Sequence, residues 1–298
     1  MKILVTGGTV FASRYTAEYF AARGDEVYVL NRGNRPQSEG VTLIKADRHA
    51  LGDTLKSYSF DAVIDVCAYN ETDIRDLLDG LGEFGCYIMV SSSAVYSETL
   101  QQPFNEGQTV GANSIWGDYG TNKIAAERAL LERVPNAYII RPPYLYGRMN
   151  NLYREAFVFE CAEKNLPFYI PKDGKLPLQF FDIEDMCRFI EILLDKRPEQ
   201  RVFNVGNPES VTVNGWIKRC YGILGKRPVF VYVDGAIPQR SYFPFYDYGY
   251  ILDVSAMMEL MPEVKPLDEG LRQSYEWFEE NRELVARKPL LEFIANNL

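Results

Sequence analysis

After Met1 the chain reads Lys2-Ile3-Leu4-Val5-Thr6-Gly7-Gly8-Thr9-Val10-Phe11-Ala12-Ser13 and reaches a second apolar run at Glu26-Val27-Tyr28-Val29-Leu30. Residues 2–5 are short and mostly apolar, as in a strand buried on both faces. Residues 6–9 form a turn. Residues 10–23 then place Phe11, Tyr15, Tyr19 and Ala22 at helical spacing, and Gly24 stands where a C-terminal cap is expected. Strand, turn, helix and strand within about 30 residues make one βαβ unit.

The alternation continues. Further strands are expected over 42–45, 62–66, 86–91, 137–140 and 202–205, with helices over 72–81, 119–133 and 183–195 between them. This order predicts an α/β chain with a doubly wound parallel sheet and helices on both faces. The last third differs. Residues 241–250, Ser-Tyr-Phe-Pro-Phe-Tyr-Asp-Tyr-Gly-Tyr, are densely aromatic. They read first as the packed core of a lid or subdomain, and second as an aromatic wall for a sugar or base. Helices over 267–281 and 284–297 close the chain.

Composition narrows the function. The chain has 298 residues, 47% hydrophobic and 24% charged, which is ordinary globular usage. Its net charge of −9 argues against bulk nucleic-acid binding and against an anionic membrane surface. No apolar run approaches the ~18 residues of a membrane span, and no signal peptide is expected. Five scattered cysteines without a CxxC pair point to neither zinc nor disulfides, and to a reducing cytoplasm. One histidine, His49, makes a His-based triad or metal site improbable.

The turn at residues 6–13 lies where a dinucleotide pyrophosphate docks, on exposed N–H groups at a helix N-terminus. Its spacing is that of GxxGxxG, but only Gly7 is glycine; Val10 and Ser13 stand in the other two places. A Cβ at Val10 is expected to hinder close approach of phosphate. Strand two ends Asn31-Arg32-Gly33-Asn34-Arg35, with two guanidinium groups and no carboxylate. Arg binds phosphate in a bidentate manner, so NADP is favoured over NAD. Asp47-Arg48 is placed to meet an adenine edge.

Tyr119-Gly120-Thr121-Asn122-Lys123 opens a helix, and residues four apart share one face. A nearby ammonium favours the phenolate, making Tyr119 a usable general acid/base. Residues 88–93, Ile-Met-Val-Ser-Ser-Ser, form an apolar strand ending in three hydroxyls, where sites of such sheets lie.

Taken in order, these segments resemble an extended short-chain dehydrogenase/reductase of the NAD-dependent epimerase/dehydratase family. Arg141-Pro142-Pro143-Tyr144-Leu145-Tyr146-Gly147, Phe180-Phe181-Asp182-Ile183-Glu184-Asp185, Phe203-Asn204-Val205-Gly206 and Leu267-Asp268-Glu269-Gly270-Leu271 extend the match over essentially the whole chain. The resemblance implies a Rossmann domain (1–147 with about 181–206) and an interleaved substrate-binding subdomain (about 148–180 and 207–298). It implies catalysis by Ser92, Tyr119 and Lys123, with Lys123 also lowering the tyrosine pKa. NAD(P) contacts are implied at Gly7, Thr9, Val10, Phe11, Asn31, Arg32, Asp47, Arg48, Cys67, Ala68, Ser91, Tyr119, Lys123 and Pro142. Substrate contacts are implied at Ser92, Ser93, Tyr144, Gln179 and Arg240, with Arg148 a further phosphate candidate and no metal.

The activity implied is nucleotide-sugar epimerisation by transient hydride transfer. The alternatives are an NADPH-dependent sugar-nucleotide reductase and a non-catalytic cofactor-binding scaffold. The Gly7-Gly8-Thr9 start with Phe11, Asn31-Arg32-Gly33 and Asp47-Arg48 also resemble a divergent branch that includes chloroplast RNA-associated members. Tyr144 replaces an Asn that many members place near substrate. The 4,6-dehydratases follow their catalytic Ser/Thr with Asp-Glu, whereas Ser93-Ala94 follows Ser92 here, so dehydration is disfavoured. Family members often form dimers through the helix carrying the tyrosine and its neighbour.

Overall fold

The apolar runs pair into one parallel sheet. The computed structural model describes residues 1–298. Strands β1 (Lys2–Thr6), β2 (Glu26–Asn31), β3 (Val41–Lys45), β4 (Leu55–Asp65), β5 (Leu81–Val90) and β6 (Tyr138–Arg141) form six of its seven strands. Later come β7 (Tyr144–Tyr146), β8 (Phe168–Pro171), β9 (Pro177–Leu178), β10 (Phe180–Asp182), β11 (Val202–Asn204), β12 (Val211–Thr212) and β13 (Phe230–Val233). The sheet order is β11-β6-β5-β4-β1-β2-β3, parallel throughout. The winding direction reverses between β1 and β4, and a ligand crevice opens at the carboxyl ends of strands at such a reversal.

Helices are α1 (Phe11–Ala22), α2 (Glu71–Gly80), α3 (Asp118–Arg133), α4 (Glu155–Glu163), α5 (Ile183–Lys196), α6 (Val213–Ile223), α7 (Ser255–Leu260), α8 (Leu267–Glu280) and α9 (Leu290–Asn297). Strand alternation sorts the core into two layers. Leu4, Val63, Met89 and Ile139 pack against α2 and α3 through Ile74, Leu77, Ala126 and Leu130. Ile3, Val5, Ile64 and Ile88 face α1 and α5 through Phe20, Phe189 and Ile190. The remaining segments add α4, α6 and α8 and three small ladders, β7 with β10, β8 with β13 and β9 with β12.

Element boundaries differ from expectation for physical reasons. Strand β4 starts at Leu55 rather than at 62, because the polar stretch Lys56-Ser57-Tyr58-Ser59 hides its pairing with β5. The expected helix over 284–297 begins only at Leu290. Pro289 cannot continue a preceding helix, so Arg282–Leu284 is a separate 3₁₀ turn. The motif at 267–271 is explained by Gly270, where a Cβ would strike the Tyr146 hydroxyl and Asp182 Oδ2. No helix is long and apolar enough to cross a membrane.

Candidate active site

A cavity of about 620 Å³ lies over the reversal of the sheet, bounded by α1, the ends of β4 and β5, α3, and residues 142–154 and 246–250. Gly7 lines it and Gly8 lies buried beside it, at φ +87° and +80°, conformations glycine adopts without strain. A Cβ at Gly7 would lie 2.7 Å from Cys67 Sγ, and one at Gly8 would lie 2.5 Å from Val29. Helix α1 starts without a side-chain cap, its N-cap Val10 being extended. First-turn N–H groups at such an end are free to bind an anion. Ser13 turns its hydroxyl inward onto Val10 O (3.0 Å) and therefore fits a place where many chains need glycine. Val10 and Phe11 both line the cavity, and Phe11 holds φ +33°, a strained value for a bulky residue.

Ser92 caps the 3₁₀ turn Ser93–Val95 and accepts Ala94 N–H at 3.2 Å. Tyr119 and Lys123 sit one turn apart on α3 and share the same wall. Lys123 is buried and donates to Ala68 O (2.6 Å) and Val90 O (3.0 Å). An ammonium has three protons, so one remains for a ligand. Tyr69 covers it, with Nζ 5.1 Å from the ring centroid. Tyr69 is itself held by Asp73, which takes the Tyr69 and Asn70 N–H groups and completes a capping box on α2.

Burial pushes the Lys123 ammonium down to about 8, although Asp65, Cys67 and Glu127 pull it back. The Tyr119 phenol is raised. Dense surrounding protein disfavours its anion even though the residue is 43% exposed towards the cavity, while the Ser92 hydroxyl and the Arg154 charge act in the lowering direction. Expectation assigned that lowering to Lys123. Its ammonium is 6.0 Å from the ring centroid, and the groups acting on the free phenol are Ser92 and Arg154.

A pH dependence follows. Lys123 is charged below about 8 and neutral above. We expect kcat/KM, which reports the free enzyme, to fall as pH rises through about 8, and Lys123→Arg to move that limb upward. Folding stability moves the other way. A lysine whose folded pKa is depressed costs stability while the unfolded chain is still protonated, so stability rises from about pH 8 towards 10. A rate profile and a melting series over the same pH range check both signs.

Other expected contacts are distributed unevenly. Gly7, Thr9, Val10, Phe11, Cys67, Ser91, Ser92, Ser93, Tyr119, Lys123, Pro142 and Tyr144 all line the one cavity. The Cys67 thiol is pushed up to about 11 by burial. Ala68 is fully buried behind the wall. Asn31 shapes the turn instead of lining the cavity, donating to Gly7 O (2.7 Å) and Gln37 (2.9 Å). Asp47 caps a short 3₁₀ turn, accepting His49 N–H. Arg48 lies outside the lining, its guanidinium bonding Asp65 (2.8 Å) and Cys67 O (2.8 Å) at the strand ends. Arg32 and Arg35 are exposed and form no ion pair.

Gln179 does not reach the cavity. It is buried, and its amide is consumed by Asn207 O, Leu252 O and Leu252 N. Arg148 is exposed and outside the lining. Arg240 sits behind the wall, stacked 4.6 Å from the centroid of Tyr246, which does line it.

Sequence reasoning missed Arg154, Trp116 and Tyr69. Arg154 lies at the N-cap of α4, over the rings of Tyr144 (5.0 Å) and Phe245 (5.8 Å). Arg154, Arg240 and Lys288 have no carboxylate partner within ion-pair distance. Burial and then mutual repulsion depress Lys288, and Arg154 adds to the depression of Arg240. The aromatic run is divided: Phe243 and Phe245 are core, while Tyr246 and Tyr250 face the cavity.

No carboxylate or histidine lines the cavity, and no cluster of three or more His, Cys, Asp or Glu side chains is arranged to hold a metal. The reactive groups are hydroxyl, phenol and ammonium beside an anion-binding helix end, a set suited to moving a proton on an alcohol or ketone.

Among solved structures, the UDP-glucose 4-epimerase of Thermotoga maritima superposes with a TM-score of 0.77 at 20% identity, covering 95% of this chain and 100% of that one. The UDP-glucuronic acid 4-epimerase of Bacillus cereus gives 0.74 at 18% identity, covering 94% and 99%. Among curated sequences, the chloroplast stem-loop binding protein of 41 kDa b from Arabidopsis thaliana is 25% identical over 92% of this chain and 78% of its own length. A dTDP-4-dehydro-6-deoxy-D-allose reductase of Streptomyces is 24% identical over 93% and 95%. The profile of the NAD dependent epimerase/dehydratase family matches residues 3–206, which include β1, the uncapped α1, Ser92 and the Tyr119–Lys123 turn. That match, over more than half of the chain, places it in the NAD dependent epimerase/dehydratase family, among the extended short-chain dehydrogenases/reductases.

Proposed function

We propose that the protein is an NAD(P)-dependent nucleotide-sugar epimerase. The observation that carries this reading is the placement of Ser92, Tyr119 and Lys123 on one wall, facing the glycine turn and the uncapped α1. The cradle suits a dinucleotide: two glycines pass where a Cβ would clash, helix N–H groups are free, and Lys123 keeps a proton for a ribose hydroxyl. When bound, the nicotinamide supplies and accepts hydride. Tyr119 takes the proton of a sugar hydroxyl as that carbon becomes a ketone, and returns it on reduction. Ser92 holds the reacting oxygen against Tyr119. Residues about 148–180 and 207–298 form the substrate-binding subdomain, and Arg154, Arg240 and Lys288 give it an anion site for the diphosphate.

Absence of a carboxylate in the lining speaks against water elimination, which needs a second acid/base. A reductase is the second reading, favoured by the near full-length match to the Streptomyces reductase. The two differ in cofactor turnover. An epimerase regenerates its oxidised cofactor in each cycle, whereas a reductase consumes reduced cofactor stoichiometrically.

Exposed, unpaired Arg32 and Arg35, with no acid at the end of β2, favour NADP. A thermal-shift panel with NAD, NADP and UDP-, GDP- and dTDP-sugars tests the reading through mass-action stabilisation. We expect NADP to raise Tm more than NAD at equal concentration, and Arg32→Ala to erase the difference. A larger shift with NAD overturns the preference. No shift with any sugar nucleotide overturns the substrate class.

A further inference from the structure

Ser92 and Tyr119 come from different elements, the end of β5 and the start of α3, and the contact of the Ser92 hydroxyl with the Tyr119 phenol joins only their tips and does not anchor the elements that carry them. A buried network behind them does. Glu127 lies one turn beyond Lys123 on α3 and is 3% exposed. Its carboxylate accepts Arg141 Nε (3.0 Å) and Nη2 (2.6 Å) as a bidentate pair. The same carboxylate accepts the hydroxyl of Ser91, the residue before Ser92. Arg141 Nη1 donates to the Tyr96 hydroxyl (2.9 Å), four residues after Ser92. Tyr96 in turn donates to Asn204 Oδ1 (2.8 Å) on β11. The next residue, Pro142, accepts Ser93 N–H at 3.0 Å and lines the cavity. Helix α3 thus grips both flanks of Ser92 through one ion pair. The approach is close: a Cβ added at Gly120 would lie 2.5 Å from Ala94 O.

We propose that Glu127 and Arg141 are positioning residues, whose buried pair sets the spacing of Ser92 from Tyr119 and Lys123. Apolar residues of similar volume hold buried helices as well as a salt bridge does, or better, so stability alone does not call for this pair. Direction does. The fork of Arg141 fixes three oxygens in one plane, which dispersion contacts cannot do. Catalytic alignment is sensitive to small displacements, about 100-fold per ångström in unfavourable cases. Glu127 also contributes to keeping Lys123 charged.

The proposal rests on the reading of Ser92, Tyr119 and Lys123 given above, so Tyr119→Phe is measured in parallel. Glu127→Gln and the apolar double variant Glu127→Leu/Arg141→Met are assayed well below their melting temperatures. The substrate is whichever sugar nucleotide the panel selects. We expect kcat to fall about tenfold or more in both variants, with KM changed less than about twofold. The alkaline limb should also move to lower pH in both. Ultraviolet titration of the Tyr119 phenol, taken as the difference from Tyr119→Phe, should shift as well. If Glu127→Gln fails to fold, the double variant carries the test. Wild-type kcat and pH profile in a folded variant overturn the proposal while Tyr119→Phe is inactive. An active Tyr119→Phe overturns the catalytic reading itself.

Discussion

Tyr119→Phe is expected to lower kcat by about 10³-fold and leave the Tm shifts from cofactor and sugar nucleotide almost unchanged. Removing a positioned acid/base typically costs 10²–10⁴-fold. The upper half of that range is appropriate because the cavity offers no substitute: its lining has no His, Asp or Glu, the Cys67 thiol is pushed up to about 11, and Lys123 is committed to two carbonyls. Tyr144 and Tyr250 are the remaining buried phenols of the lining. Tyr250 accepts from Ser93, and burial raises both pKa values further. Binding should survive, because the Tyr119 hydroxyl is no part of the glycine turn or of the Arg154 cluster. Single-turnover rates with isothermal binding in parallel separate the outcomes. Retention of more than about a tenth of wild-type kcat would assign the proton transfer elsewhere, and a lost Tm shift would make Tyr119 a binding residue.

The cofactor half of the site was legible because it is built from local patterns. A strand, a two-glycine turn and a helix are contiguous in residues 2–22, and Tyr119 and Lys123 are four apart on one helix. Chemistry and spacing coincide there. The other half is assembled from residues far apart in sequence, and periodicity does not announce it. Arg154 follows Asn150-Asn151-Leu152-Tyr153 with no motif of its own. Its meaning lies in the rings beneath it and in its distance from any carboxylate. Trp116 comes from a loop, and Tyr246 meets it at 4.9 Å only because the chain returns 130 residues later. Gln179 was misplaced for the same reason: the backbone at 207 and 252 takes up its amide, and nothing near 179 shows it. The pairing of Arg48 with Asp65, 17 positions on at the end of β4, is equally invisible in the local sequence.

Net charge sharpens the remaining step. In a chain of −9, three cations gathered together with no acid partner among them stand out, since clustered positive charges would be expected to draw in a carboxylate. Arg240 and Lys288 are depressed first by burial, and then by the neighbouring positive charges, Arg154 acting on Arg240 and both arginines acting on Lys288. An anion between them would relieve this. Arg154 is the member that lines the cavity, so Arg154→Gln should weaken sugar-nucleotide binding about 10- to 100-fold, the range for a charge-assisted hydrogen bond of about 1.5–3 kcal/mol. Three accompanying changes distinguish an anion site from a structural arginine. Affinity for NADP should not change. Raising salt should weaken binding less in the variant than in the parent, since screening acts on the lost charge. Tm without ligand should hold or rise, because removing one of three repelling charges offsets the loss of its stacking on Tyr144 and Phe245. kcat should fall by a smaller factor, because Arg154 also helps to lower the Tyr119 pKa. Unchanged affinity with a lowered Tm would show that Arg154 supports the aromatic wall and that the diphosphate is held elsewhere.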